Sequence, residues 1–64
     1  MGIEVGDVVE LKEAIQDIYE TWPAGATGVV SEVDPSNVVW PIRVEFVGMP
    51  YGLFAEYELR KVTC

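Results

Sequence analysis

The sequence predicts an all-β domain, with short strands curled into a small barrel over one layer of core. Three observations point there. Ile42, Val44 and Phe46 alternate strictly with Arg43 and Glu45, the two-residue period of a strand with one face buried. The apolar runs on either side are short and are punctuated by glycine, proline and Asp-Pro. The chain has 64 residues, 50% hydrophobic and 23% charged, which is enough apolar surface to fold but only enough length for one domain and one core.

Gly6-Asp7 opens the first strand, Val8 to Lys12, in which Val9 and Leu11 share the core face while Val8, Glu10 and Lys12 share the other. Glu13 to Gly25 shows no alternation and ends in the turn-forming Trp22-Pro23-Ala24-Gly25, so it reads as a long loop. Either Ile15 or Ile18 should tuck beneath the barrel; a single helical turn placing Ala14, Ile15, Ile18 and Tyr19 on one side is the alternative. Ala26 to Val33 is the next strand, with Gly28 marking a bulge or a close backbone approach. Asp34-Pro35-Ser36-Asn37 is the clearest turn. Val38 to Phe46 returns antiparallel, Pro41 being restricted to a bulge or an edge because it lacks an N–H. Gly48 to Gly52 turns the chain again, Leu53-Phe54 begins a short strand, Glu56 to Leu59 forms one tight helical turn, and Arg60 to Thr63 closes the sheet. Val9, Leu11, Val30, Ile42, Val44 and Phe46 should therefore point inward together.

Charge narrows the function. Eleven acids against four bases give a net charge of −7, which repels phosphate backbones and makes nucleic acid an unfavourable partner. Glu10, Glu13, Asp17 and Glu20 concentrate the acids early in the chain and suggest a basic partner. There is no histidine, and the one cysteine, Cys64, is the last residue, so no internal disulfide, metal or cofactor is expected. No apolar run reaches membrane-spanning length and no secretory leader is evident, so a soluble cytoplasmic protein, monomeric or weakly dimeric, is expected. The hydroxyls have no histidine to activate them, and the carboxylates Glu56 with Glu58 and Asp17 with Glu20 fall on exposed-looking segments; no enzyme is expected.

Gly6-Asp7-Val8-Val9-Glu10-Leu11, Ala24-Gly25-Ala26-Thr27-Gly28-Val29-Val30, Pro41 to Phe46, Phe54-Ala55 and Glu58-Leu59-Arg60-Lys61-Val62 together resemble the pattern of small bacterial SH3-like modules. That group includes the DUF4926-type stand-alone proteins, KOW and Tudor-like domains, the variable subunit of ferredoxin-thioredoxin reductase and photosystem I subunit IV. The resemblance covers nearly the whole chain and implies a five-stranded SH3-like barrel with a long first loop and a one-turn helix before the last strand. It carries a fold and no single task. The Ala-Leu-Tyr-Asp-Tyr strand and Trp-Trp pair of signalling SH3 domains are missing, so proline-rich recognition is not implied. The basic surfaces of ferredoxin-docking and KOW relatives are likewise missing.

Binding is expected from aromatics beside acids. Trp22 follows Asp17, Tyr19 and Glu20 in the long loop, and Tyr51 lies in the turn between Met49 and Gly52; a ring next to carboxylates holds a cation by quadrupole and Coulomb attraction together. Asp17, Tyr19, Glu20, Trp22 and Tyr51 are thus the expected partner-binding residues of a non-catalytic protein-interaction module facing a basic protein. The competing reading for Trp22 and Tyr51 is that they lid the ends of a small core. A Tudor-type cage would need Trp22, Trp40, Tyr51 and Tyr57 to converge. Two other functions fit the composition: an accessory subunit of a larger complex, for instance a redox complex, with an apolar patch around Val8, Val29, Val39 and Val47, or a small acidic phage-type inhibitor that mimics nucleic acid.

Overall fold

The computed structural model describes residues 2–62. Among these residues seven strands form: β1 (Val8–Leu11), β2 (Ile15–Gln16), β3 (Thr21–Trp22), β4 (Thr27–Val33), β5 (Ile42–Phe46), β6 (Gly52–Phe54) and β7 (Leu59–Lys61), with a 3-10 turn, Glu56–Glu58, just before the last. Five of them make one antiparallel sheet in the order β6-β5-β4-β1-β7, and β2 and β3 pair as a separate two-stranded hairpin. Ladders join neighbours only. No pairing links β6 to β7 among the described residues, so the sheet is open and not the closed barrel expected. Cys64 and the Thr63 end of the expected closing strand lie outside the described residues.

The two-residue period decides which way side chains point. Along β5 the burial alternates, with Ile42, Val44 and Phe46 inside, and β1 places Val9 and Leu11 inside by the same rule. Val30, Phe54 and Leu59 from β4, β6 and β7 join them in a single cluster, which obliges the sheet to wrap around its own core. No polar or charged residue is buried in it. Gly28 fits because β5 crosses close by: a Cβ there would stand 2.6 Å from the Glu45 carbonyl oxygen and 2.7 Å from Val44. Its role is close approach; the bulge falls farther along, where the β4–β5 register shifts between Val30 and Glu32.

Two expected elements change. The stretch from Val38 to Trp40 is not strand, because the Asn37 side-chain oxygen accepts the backbone N–H groups of Val39 and Trp40, at 3.2 and 3.0 Å, and Pro41 has none to offer. The ladder therefore begins at Ile42. The long first loop folds back on itself as the β2–β3 hairpin, with Ile15 opposite Trp22 and the Asp17 N–H donating to the Glu20 carbonyl at 2.8 Å. Ile15 packs against the core, whereas Ile18 at the hairpin tip stays 85% exposed. No helical turn forms there. Among the described residues no helix is long and apolar enough to cross a membrane.

Candidate functional site

Trp22 fixes the hairpin to the sheet. Its ring packs edge-on to Phe54, with centroids 5.5 Å apart, and tilted against Phe46 at 6.5 Å, while Phe46 and Phe54 meet edge-on at 5.9 Å. Each such pair contributes roughly 0.5–1.5 kcal/mol beyond the area it buries. The indole Nε1–H donates to the Pro50 carbonyl at 3.1 Å, so the one polar atom of the ring is satisfied where the ring ends. Gly52 leaves room for this, since a Cβ on it would lie 2.6 Å from the Phe54 ring and 3.0 Å from Trp22.

Between the hairpin and β6 runs an open groove of about 860 Å³. All the expected partner-binding residues line it: Asp17, Tyr19 and Glu20 from the hairpin tip, Trp22 from beneath, and Tyr51 from the opposite wall. They differ in what they offer a visitor. Tyr19 is 86% exposed and Tyr51 55%, but Trp22 is only 6% exposed and belongs chiefly to the core. Trp40, freed from any strand by the Asn37 turn, adds a third accessible ring, and Glu58 adds a third carboxylate. Glu58 is held in place because its carboxylate accepts the Ala55 N–H at 2.8 Å across the 3-10 turn. Tyr57 lies elsewhere, beside a second hollow with Lys12 and Lys61, so the four aromatics of a cage do not converge.

Electrostatics separate the groove from the rest of the surface. Its lining holds three carboxylates and neither lysine nor arginine. Most of the cations are engaged elsewhere: Arg43 with Glu45 at 3.5 Å and Glu32 at 3.9 Å, Lys61 with Asp7 at 3.3 Å, and Arg60 with Glu10. Asp17, Glu20 and Glu58 have no ion-pair partner among the described residues. Asp7 and Asp34 have carboxyls held below their ordinary value, Asp7 mainly by the Glu4 N–H and further by Lys61, Asp34 by the Ser36 hydroxyl and N–H. Neither lies in the groove. Among the described residues no three metal-ligating side chains cluster.

Arg43 is the contact that sequence reasoning missed. Its guanidinium sits over the Tyr51 ring, 4.1 Å from the centroid, a cation–π arrangement that steadies one wall of the groove. The alternation along β5 gave the signal that Arg43 faces outward with Glu45. Its meeting with Tyr51 depends on the β5–β6 register, Arg43 opposite Leu53, which the turn between them sets. Of the apolar residues of the accessory-subunit reading, Val29, Val39 and Val47 are exposed. Val8 and Val29 stand opposite each other across β1 and β4, but Val39 and Val47 flank opposite ends of β5. No protein-family model matches the chain, no curated protein matches it, and no solved structure matches it.

Proposed function

We propose that the chain is a non-catalytic, SH3-like interaction module that holds a basic segment of a partner protein in the groove between the β2–β3 hairpin and β6. The observation that carries this reading is the groove's composition: Asp17, Glu20 and Glu58 line it together with the accessible rings of Tyr19, Trp40 and Tyr51, and neither lysine nor arginine is in the lining, Arg43 meeting the Tyr51 ring from outside it. The SH3-like assignment draws on the strand order β7-β1-β4-β5-β6, the hairpin inserted after the first strand and the 3-10 turn before the last. Carboxylates steer and orient the cationic partner, and the rings supply most of the affinity. The same negative charge opposes nucleic acid.

Calorimetric titration with an arginine-rich peptide, against a glutamate-rich peptide of equal length, tests the reading. Binding of the basic peptide alone is expected, with Asp17→Lys and Tyr19→Ala each weakening it by roughly fivefold or more, equivalent to about 1 kcal/mol. Both sites are exposed, so the fold survives the changes. Truncating Trp22 would test folding and not docking, because that ring is core. Unchanged affinity in both variants removes this surface from consideration.

A further inference from the structure

The two edges of the sheet are unequal. β7 ends the sheet on one side with Arg60 and Lys61, charged residues of the kind that keep foreign strands from pairing with an edge. β6 ends it on the other side with Gly52, Leu53 and Phe54, which carry no charge. Among the described residues β6 bonds to β5 alone, and of its three residues Leu53 is exposed while Gly52 and Phe54 are buried, so the backbone groups of Leu53 are the ones an incoming chain can reach. That open side is where the groove lies, since Pro50, Tyr51, Gly52 and Leu53 form a continuous stretch of its wall. The hairpin already lies against part of this edge, where the Trp22 ring packs on Gly52 and Phe54 and its Nε1–H donates to the Pro50 carbonyl.

Resting on the reading of the groove as a site for a basic segment, we propose that the segment binds as an added β-strand paired to β6. Leu53, with the exposed Tyr51 two residues before it, offers roughly 7 Å of edge, enough to align a short stretch of extended chain. Alternate side chains of the incoming strand then fall on opposite faces. Those on the outer face meet Leu53, 48% exposed, and favour apolar residues; those on the other face pass over the hairpin, where Asp17 and Glu20 favour lysine or arginine. The occupant is thus an extended segment alternating basic and apolar residues. A second copy of this chain is a poor occupant, because it brings a net charge of −7 and the same carboxylates to the same edge.

The probe is an eight-residue peptide alternating arginine and valine, compared with a twin N-methylated on every internal amide, which keeps every side chain and charge but cannot donate to a ladder. The expected result is that the unmethylated peptide binds, that amide hydrogen exchange slows at residues 52–54 on binding, and that the twin binds roughly tenfold or more weakly. Equal affinity for the two peptides, or slowed exchange that leaves residues 52–54 untouched, overturns strand addition while the groove reading stands. Binding of neither peptide overturns both. Protection of residues 52–54 that grows with protein concentration in the absence of peptide assigns the edge to a second copy and also overturns the proposal.

Discussion

Trp22 joins three parts of the molecule through one side chain: the ring sits with Phe46 and Phe54 in the core, its Nε1 reaches Pro50, and its edge floors the groove. Replacing it with phenylalanine keeps an aromatic ring but removes the hydrogen bond and part of the packing, and should lower unfolding free energy by about 1–2 kcal/mol in urea titrations. Its position was only half legible. The turn chemistry of Trp22-Pro23-Ala24-Gly25 marked the segment as connection, and nothing local announced that Gly52, far along the chain, leaves the space this ring fills. At Asp7 the prediction concerns pH. The carboxylate accepts the Glu4 N–H at 2.8 Å and faces the Lys61 ammonium, so its folded pKa lies below the ordinary 3.8. Protonation is then harder in the folded state than in the unfolded one. The resulting stability is present above pH 3.8 and disappears as pH falls through the lower folded value. Asp7→Asn should flatten this acid limb when unfolding is measured at stepped pH, with Asp34 supplying the part that persists.

At the scale of elements, the strands with one buried face were readable because period two leaves no ambiguity about direction: Val9 and Leu11, then Ile42, Val44 and Phe46, sit inside as the alternation requires. Where side chains compete with the backbone, that period misleads. Val38 to Trp40 has strand-forming residues, yet the Asn37 side chain captures the N–H groups of Val39 and Trp40, and Trp40 stands outward at the groove. The β2–β3 hairpin was missed for another reason: two-residue strands carry too little pattern to register, and pairing is fixed by the packing of Ile15 and Trp22 on the core. The β4–β5 ladder offers the sharpest test of an element. Gly28→Ala places a methyl 2.6 Å from the Glu45 carbonyl oxygen, which cannot move without opening the ladder, and within 2.9 Å of the Val44 and Phe46 side chains. Thermal or chemical denaturation should show a loss of about 1–3 kcal/mol, large for so small a domain.

Over the whole molecule, charge is distributed unevenly. Arg43, Arg60 and Lys61 are matched with neighbouring acids, so the unmatched negative charge includes the groove carboxylates Asp17, Glu20 and Glu58. Sequence counting reached the net charge and the acidic hairpin but not Glu58, which arrives from the 3-10 turn at the other end of the chain. A charged groove of this kind attracts its partner over a distance set by the ionic strength. Raising salt from about 0.01 M to about 1 M shortens that reach from about 30 Å to about 3 Å. The association rate of an arginine-rich peptide should fall by roughly tenfold or more over this range in stopped-flow measurements, with a smaller change in its dissociation rate.

The two tryptophans sit in opposite environments, Trp22 only 6% exposed and Trp40 52%. Their emission therefore separates without any label: Trp22 fluoresces from a dry surrounding and shifts to longer wavelength when the domain melts, whereas Trp40 glows from water and changes when something covers it. A single ultraviolet spectrum of the native chain thus distinguishes an occupied groove from an unfolded domain.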